Sequence, residues 1–453
     1  MRRVLIANRG EIAVRIVRAC FDEGLESVAA VSAADRDSLA ASAADRSIVV
    51  GPAAAADSYL SIDRMLAAAK ASDCDALHPG YGFLSERPEL AEACEEEGIV
   101  FVGPPAEVMR RSGDKMGARE VAASIGIPIS SGSEGLEDPQ AALEAAEQIG
   151  YPVMLKASAG GGGRGMAVLS NPQGLSERFT TARSEAQQAF GDGRLYVERF
   201  VARARHVEVQ ILADSHGSVI HLGERDCSCQ RRYQKLVEEA PAVGLDPALV
   251  QDIRDSAVAL GRELEYVGAG TVEFLVDLDR GDFVFLEVNA RVQVEHPVTE
   301  MVTGVDIVRE QLRIAAGGRL SLTQEEVALT GHAVECRVNA EDARNGFLPS
   351  PGTLQRWVPP VASNIRVDTH CRAGEKIPPY YDSLVAKVIA WAPDRTGALE
   401  LMRRGLDRFR IEGIQSTVPL LRDVVSDSRF QLEPVTTRWL EQDFLDAWTD
   451  GGA

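Results

Sequence analysis

Glu287-Val-Asn-Ala-Arg-Val-Gln-Val-Glu295 alternates strictly between polar and apolar residues. Successive side chains of an extended strand point to opposite faces of the sheet, so the polar residues of this stretch would share one face. They are Glu287, Asn289, Arg291, Gln293 and Glu295. The pattern alone favours an amphipathic strand with one solvated face.

A second predicted strand, Thr271–Asp277, lies just upstream, and a turn centred on Arg280 would join the two into a hairpin. Folding about that turn places Glu273 opposite Glu287, with Cβ atoms about 5 Å apart, where like charges destabilise a sheet. Two carboxylates beside Asn289 offer the oxygen ligands that Mg²⁺ prefers. The sequence therefore predicts a metal site on this hairpin, provided that the register does not slip by one residue.

Length and composition indicate an ordinary globular protein. The chain has 453 residues, 45% hydrophobic and 26% charged, which suits about three domains of usual size. No stretch approaches the ~20 apolar residues of a membrane span. The first residues, Met1-Arg-Arg-Val-Leu-Ile-Ala7, enter a strand-like run without a signal-peptide pattern, so we expect a cytoplasmic protein.

The charge balance argues against nucleic-acid and membrane partners. The formal net charge is −20, which repels anionic polymers and anionic lipid surfaces. Arg231, Arg232 and Lys235 form the densest basic cluster, which is either a solvated surface or a small-anion pocket in which Lys235 supplies a point charge.

The seven cysteines predict free thiols rather than disulfides or a zinc site. Cys227 and Cys229 are the closest pair, and no second pair or neighbouring His completes a zinc pattern. A cytoplasmic location also disfavours disulfides.

Hydrophobic patterns divide the chain into three parts. The first ~110 residues alternate strands and helices, which is typical of an open parallel sheet. The opening turn lacks the G-x-G-x-x-G pattern, so a dinucleotide site is poorly supported. Residues 151–201 resemble a compact insert, and the part after Ala202 is strand-rich with helices at 247–264 and 305–316, an α+β arrangement.

A glycine-rich segment follows the predicted strand at 152–155. It reads Lys156-Ala-Ser-Ala-Gly-Gly-Gly-Gly-Arg-Gly-Met166. Consecutive glycines let backbone N–H groups approach phosphate oxygens, although a flexible turn is the simpler alternative. Lys156 at its start favours a phosphate loop that differs from the P-loop.

Together the motifs resemble the biotin carboxylase family of the ATP-grasp superfamily. The resemblance rests on segments in family order that cover nearly the whole chain: 7–13 (ANRGEIA), 78–86 (HPGYGFLSE), 113–115 (GDK), the Lys156 loop, 230–235 (QRRYQK), 285–300 (FLEVNARVQVEHPVTE), 347–352 (FLPSPG) and 380–384 (YYDSL). It implies an N-terminal Rossmann-like parallel sheet over 1–113 and an ATP-grasp domain over 114–317 with a lid at about 131–202. A β-rich C-terminal domain over 331–445 would follow.

The implied activity is ATP- and bicarbonate-dependent carboxylation of biotin through carboxyphosphate. Phosphoryl transfer depends mostly on positioning and charge neutralisation, which suits lysines and metal ions. By resemblance, the nucleotide and its phosphates contact Lys115, Lys156, Gly162, Gly163, Glu198, Arg199, Val201, His206, Gln230, Tyr233, Glu273 and Glu287. Mg²⁺ or Mn²⁺ would lie on Glu273, Glu287 and Asn289, the residues that the hairpin already singled out.

The resemblance also assigns the anion and biotin sites. Bicarbonate would contact Lys235, Arg291, Gln293, Val294 and Glu295. Within that set, Glu295 matches the base that deprotonates bicarbonate. Arg337 matches the residue that stabilises the biotin enolate, so Lys235, Arg291, Glu295 and Arg337 form the implied catalytic set.

Two residues depart from the family pattern. Tyr233 stands where the family usually has His, and a phenol offers no cation near neutral pH. Ala159 replaces a glycine at the start of the loop.

The partners expected are a separate biotin carboxyl carrier protein, a carboxyltransferase subunit and a second copy of the chain, since no biotin-attachment motif is present. The pathway expected is fatty-acid biosynthesis through acetyl-CoA carboxylase. Another carboxyphosphate-forming ATP-grasp ligase, or a catalytically impaired nucleotide-binding subunit, is the alternative.

Overall fold

The N-terminal part of the computed structural model forms a parallel sheet of five strands in the order β3-β2-β1-β4-β5. The structure describes residues 1–133, 135–136, 138–157 and 166–450. The elements of this first part are β1 (Arg3–Ile6), α1 (Gly10–Asp22), β2 (Glu26–Ser32), α2 (Leu39–Ala43), β3 (Arg46–Gly51), α3 (Ile62–Ala71), β4 (Ala76–His78), α4 (Pro88–Glu96), β5 (Val100–Phe101) and α5 (Ala106–Gly113).

Both faces of this sheet are covered, which explains why its strands are apolar without alternation. Val4 and Ile6 pack in one core with Ile12 and Ile16 of α1. Leu5 points the other way, into a second core under α3 and α4. The predicted parallel sheet is confirmed.

A small antiparallel sheet with its own core follows. Its strands run in the order β7-β6-β8, and Leu155, Phe179 and Val197 are among the residues that fill the core. Asp138 caps α7 (Pro139–Ile149) by accepting 2.9 Å hydrogen bonds from two backbone N–H groups. The elements of this part are α6 (Lys115–Ser124), α7 (Pro139–Ile149), β6 (Val153–Ala157), β7 (Ala167–Leu169), α8 (Leu175–Phe190) and β8 (Leu195–Arg199).

The remainder is organised by one antiparallel sheet of eight strands, in the order β13-β12-β9-β10-β11-β14-β21-β19. The α+β arrangement is therefore confirmed. The elements are β9 (Ala204–Ala213), β10 (Val219–Arg231), β11 (Gln234–Ala240), α9 (Pro247–Glu263), β12 (Gly268–Asp277), β13 (Asp282–Asn289), α10 (His296–Thr303), α11 (Ile307–Ala315), β14 (His332–Asn339), β15 (Glu341–Asp342), β16 (Leu348–Pro349), β17 (Gly352–Thr353), β18 (Arg356–Val358), β19 (Ile365–Thr369), β20 (Lys376–Ile377), β21 (Leu384–Ala392), α12 (Arg395–Arg408), β22 (Arg410–Glu412), α13 (Val418–Ser426), α14 (Ser428–Leu432) and α15 (Leu445–Asp450).

In the hairpin of β12 and β13, Glu273 faces Glu287 as predicted, but the turn and the register that bring them together differ from the prediction. Glu273 is paired with Glu287, but the strands close at Asp277 and Asp282, so the turn is not centred on Arg280. A register shift follows, since Phe274 pairs with Phe285. The bulge at Leu286 restores the alignment of the two carboxylates.

The predicted strand over 287–295 is wrong in its second half. β13 ends at Asn289, and the chain then bends and turns into α10, which begins at His296. Residues 290–295 thus leave the sheet and cross its face. Among the described helices, none is long and apolar enough to cross a membrane.

Candidate active site

A row of charged residues crosses four neighbouring strands of the large sheet. Glu287 of β13 faces Glu273 of β12, which faces Glu208 of β9, which in turn faces Arg225 of β10. Three carboxylates at one level repel one another unless cations intervene. The surrounding side chains supply those cations.

Lys235 of β11 is the central cation of the site. Its Nζ donates to Glu208 at 2.5 Å, to Glu295 at 2.6 Å and to Glu273 at 3.1 Å. Burial alone lowers the pKa of Lys235, but these three carboxylates outweigh it and raise that pKa well above its usual value. Lys235 is therefore a permanent positive charge in the site.

Glu273 connects the metal and anion halves of the site. Its Oε1 accepts hydrogen bonds from Asn289 at 2.9 Å and from Gln293 at 2.7 Å. Its Oε2 lies 3.1 Å from Nε2 of His206. Burial opposes ionisation of this carboxyl, yet Lys235 and His206 hold the pKa of Glu273 well below its usual value. The same contact raises the pKa of His206. Burial lowers that pKa, but the charge of Glu273 outweighs burial and raises it to about 9.

Arg225 fixes the framework beneath these groups, and its side chain is fully buried. Its guanidinium donates hydrogen bonds to side chains of β9, β12, the bend after β13 and α10, and so links four segments of the chain. Its acceptors are Glu208, Gln210, Thr271, Gln293 and Thr299.

Glu295 is held between two cations. Lys235 donates to its Oε1, and Nη2 of Arg337 donates to its Oε2 at 2.8 Å. Burial raises the pKa of Glu295, but Lys235 and Arg337 pull it below the usual value. Arg337 also donates from Nε to Glu238 at 2.5 Å, so one guanidinium bridges two carboxyl groups.

Arg291 lies at the entrance of the same site. Its Nη2 donates to Oδ1 of Asn289 at 2.8 Å, and its Nε lies 3.0 Å from Glu86 of the N-terminal part. Val294 contributes its backbone carbonyl, which accepts from the buried Lys387 at 2.9 Å. The bend after β13 therefore brings Gln293 and Glu295 to the residues around Lys235, although not on a strand. The bicarbonate pocket as a whole stays a prediction.

The hairpin fits a divalent cation by its donor chemistry. Glu273 and Glu287 are directly opposed, and Asn289 is two residues along the same face. Carboxylate and amide oxygens of this kind suit Mg²⁺ or Mn²⁺ rather than a soft metal. All three predicted ligands share one edge of the sheet, so the residues present fit the metal.

The small sheet brings two of the predicted nucleotide contacts, Lys156 and Glu198, next to each other. Lys156 of β6 forms an ion pair with Glu198 of β8, and Arg119 lies 3.6 Å from the same carboxylate. Arg199 pairs instead with Asp277 at 2.7 Å. Val201, between β8 and β9, and Gln230 of β10 are both buried. Gly162 and Gly163 lie outside the described residues, as does the side chain of Lys115, whose backbone begins α6.

The predicted basic cluster is split by the β10–β11 hairpin, which corrects the idea of one anion pocket. Arg231 stacks on Phe347 with its guanidinium carbon 3.9 Å from the ring centre, and Arg232 lies at the hairpin tip, whereas Lys235 alone enters the site. Tyr233 follows Arg232 at the tip with φ +65° and is 58% exposed.

Several important residues escaped the sequence analysis: Glu86, Glu208, Arg225, Glu238 and Lys387. A signal did exist for Glu208, because His206, Glu208 and Gln210 alternate along β9 as the polar residues do after Glu287. Glu86 lies in the segment 78–86, on which the resemblance partly rests, but no local pattern gives it or the other residues a role in the site, because that role depends on partners from other segments of the chain. All seven cysteines are free and buried, as predicted.

The comparisons with known proteins agree on one family. Models of that family match at both ends: "Biotin carboxylase, N-terminal domain" over residues 1–109 and "Biotin carboxylase C-terminal domain" over 335–442. Between them, residues 114–323 match "Carbamoyl-phosphate synthase L chain, ATP binding domain".

Individual relatives extend over the whole chain. A biotin carboxylase of Nostoc is 49% identical over 97% of this chain and 98% of its own. The propionyl-CoA carboxylase alpha chain of Ruegeria pomeroyi is 45% identical over 98% of this chain and 68% of its own.

Solved structures give the same picture. Biotin carboxylase of Campylobacter jejuni, crystallised as a β,γ-ATP complex, has a TM-score of 0.94 at 44% identity and covers 97% of this chain and 98% of its own. The biotin carboxylase domain dimer of Hydrogenobacter thermophilus 2-oxoglutarate carboxylase, solved with MgADP and bicarbonate, has a TM-score of 0.92 at 46% identity, with 97% coverage of each chain.

Proposed function

The chain belongs to the biotin carboxylase family, and we propose that it carboxylates biotin on a separate carrier protein as the first half-reaction of an acyl-CoA carboxylase. As a member of this family it is an ATP-dependent ligase that forms a carbon–nitrogen bond. It uses ATP, Mg²⁺, bicarbonate and biotin.

The observation that carries the proposal is the position of Glu295 between Lys235 and Arg337. A base with a lowered pKa stays ionised at neutral pH, and it faces two cations that attract an anion. In this proposal, bicarbonate lies against Lys235 and Arg291 and gives its proton to Glu295. The resulting dianion attacks the γ-phosphate of ATP, the bond from the γ-phosphorus to the bridging oxygen breaks, ADP leaves, and carboxyphosphate is formed.

Arg337 serves the second half of the reaction. Its guanidinium is fixed by two carboxyl groups, so it needs no reorganisation to meet negative charge on the ureido oxygen of biotin. Gln293, which donates to Glu273 at 2.7 Å, and Val294 would complete the bicarbonate pocket.

The metal and nucleotide residues form the other half of the site. Glu273, Glu287 and Asn289 would hold Mg²⁺, which neutralises phosphate charge when bound. Lys115, Lys156, Gly162 and Gly163 would contact the phosphates. The remaining nucleotide contacts proposed are Glu198, Arg199, Val201, His206, Gln230 and Tyr233. The unit at about 131–202 has its own core, which suits a lid that excludes water from carboxyphosphate.

The final acceptor is proposed as acetyl-CoA, which would place the chain in fatty-acid biosynthesis. The match covers 98% of the Nostoc biotin carboxylase, which supports a biotin carboxylase subunit. A relative named for propionyl-CoA keeps other acyl-CoA substrates open, so the carboxyltransferase subunit decides the acceptor. A homodimer is proposed by analogy with the Hydrogenobacter domain dimer.

The test is ATP cleavage by the purified chain, with bicarbonate and biotin varied separately. We expect slow cleavage that requires bicarbonate and Mg²⁺, rises with free biotin, and rises further with a biotinylated carrier domain. Glu295→Gln should lower the bicarbonate-dependent rate about 100-fold or more, because it removes the base. The exposed Glu412→Gln is the matched control. Cleavage that ignores biotin in a folded protein would refute the proposal.

A further inference from the structure

Two buried carboxyl groups face each other behind Arg337. Glu238 and Glu335 are opposite one another in the register of β11 and β14, and both are 0% exposed. Oε2 of Glu238 and both carboxyl oxygens of Glu335 have no hydrogen-bond partner among the described residues. An ionised carboxylate without a partner is strongly disfavoured in such a place. At least one member of the pair is therefore a neutral carboxylic acid.

The surrounding groups decide which one holds the proton. Burial and the facing carboxyls raise the pKa of Glu335 well above its usual value, although Lys387 opposes them. Burial also raises the pKa of Glu238, to about 7, with Arg337 opposing it. The groups that act on this pair are Arg337 of β14, Glu295 before α10, Lys235 of β11, Lys387 of β21, and the neutral thiols Cys227, Cys229 and Cys336. Glu335, which lacks a hydrogen-bond partner among the described residues, is thus the member that favours the neutral form, whereas Glu238 keeps the hydrogen bond from Arg337 and has a pKa of about 7.

The charge of Glu238 reaches Glu295 through a shared guanidinium. Nε of Arg337 donates to Glu238 at 2.5 Å, and Nη2 donates to Glu295 at 2.8 Å. When Glu238 is ionised, the two carboxylates divide the positive charge of Arg337. When Glu238 is protonated, that charge acts on Glu295 alone and weakens it as a base. The ionised state of Glu238 is therefore the one in which Glu295 accepts a proton more readily.

We propose that Glu238, backed by the neutral acid Glu335, is a positioning residue that holds Arg337 and sets the basicity of Glu295 towards bicarbonate. The proposal rests on the function given above to Glu295 and Arg337. Glu238 and Glu335 would lie behind the residues that contact the substrates. The proposal predicts that activity falls at low pH as Glu238 becomes protonated, which gives the pH profile an acidic limb.

The first test does not require activity. Infrared spectra recorded at intervals from about pH 6 to pH 9, with each variant's spectrum subtracted from that of the wild type, show the C=O stretch of protonated carboxyl groups, and ordinary carboxyls are already ionised over that range. Glu335→Gln should remove a band that is present at neutral pH, and Glu238→Gln should remove a band that titrates near pH 7. Spectra of both variants identical to that of the wild type would overturn the proposal.

The second test follows kcat/KM for bicarbonate in ATP cleavage over the same range. Glu238→Gln should lose the acidic limb and fall about tenfold at the upper end, because Arg337 then acts on Glu295 alone. Glu335→Gln should move the limb to lower pH, since an amide can donate to the free oxygen of Glu238. The exposed Glu107→Gln on α5 should leave the profile unchanged.

The outcomes separate the two proposals. An unchanged limb in Glu238→Gln, with the rate reduced by one factor at every pH, would mean a structural role and would overturn the inference. Absence of bicarbonate-dependent ATP cleavage in the wild-type protein would instead refute the proposed function. The infrared test would still decide the protonation states of Glu238 and Glu335. Equal thermal midpoints for the variants would show that folding is intact.

Discussion

Glu238 and Glu239 are consecutive residues of β11, yet their carboxyl groups have opposite electrostatic surroundings. Burial raises the pKa of Glu238 to about 7. Glu239 is also buried, but hydrogen bonds from His332 and Arg395 outweigh burial and lower its pKa to about 2. The two side chains lie on opposite faces of the strand, so the sheet separates a carboxyl with a raised pKa from one with a lowered pKa that is ionised at neutral pH.

Glu239→Gln should destabilise the protein in a pH-dependent way. The folded pKa of about 2 lies below the unfolded value of 4.5, so the carboxylate stabilises the fold above pH 4.5, and that contribution is lost as the pH falls through 2. At neutral pH the difference corresponds to roughly 3 kcal/mol. Urea midpoints of wild type and variant should converge as the pH is lowered from about 5 towards 2. A gap that stays constant would contradict the expectation, and Glu412→Gln is the exposed control.

Arg337→Ala should separate nucleotide binding from biotin carboxylation. The guanidinium contacts Glu238 and Glu295, not the residues proposed for ATP. We expect ATP binding within a fewfold of wild type and carboxylation lowered about 100-fold or more. Arg337→Lys should recover little, because a single ammonium cannot replace the two directed donors. Calorimetric nucleotide binding and biotin-dependent turnover make the comparison, and unchanged carboxylation would refute the role.

Tyr233→His should be almost neutral for activity. The side chain is 58% exposed at a hairpin tip with φ +65°, a conformation in which His is found more often than most residues. Tyr233 is a proposed nucleotide contact, and a phenol and an imidazole can each donate one hydrogen bond there, so we expect kcat and KM for ATP and biotin to change by no more than about twofold. A large gain in turnover would instead show that Tyr233 impairs the enzyme.

Lys387→Met should destabilise the fold through an uncompensated charge. Nζ of Lys387 is buried 3.1 Å from Oε1 of Glu11 and donates to the carbonyl of Val294 at 2.9 Å. Breaking a buried pair from one side costs about 3–5 kcal/mol. The double variant Glu11→Gln/Lys387→Met should recover part of the loss in urea denaturation, because both charges are then absent. Additive losses would contradict this coupling.

The sequence predicted the metal hairpin because period-two alternation and a nearby turn are local features. Even there, the pairing of Glu273 with Glu287 depends on a bulge at Leu286 that no pattern indicated. The end of the strand at Asn289 was missed because residues 290–295 keep alternating after they leave the sheet. Glu295 still reaches Lys235, so the prediction of proximity survived the wrong secondary structure.

What the sequence could not give is the order of strands that are distant in the chain. Glu208 meets Glu273 because β9 pairs with β12, about 65 positions later. Glu238 meets Arg337 because β11 pairs with β14. Protonation states follow from those encounters and from burial, so they too become visible only in three dimensions.

The eight-stranded sheet joins two segments of the chain that match different family models, so the limits of the matched segments are not the limits of the parts that fold together. The ladder passes without interruption from β11 to β14, across the gap between the matched ATP-binding and C-terminal segments. A truncated chain ending near residue 320 would leave β11 as a bare edge, with Glu238 deprived of Arg337 and Glu239 of Arg395. The two halves are therefore expected to unfold as one cooperative body, so that loosening the C-terminal strands would also dismantle the site where bicarbonate is activated.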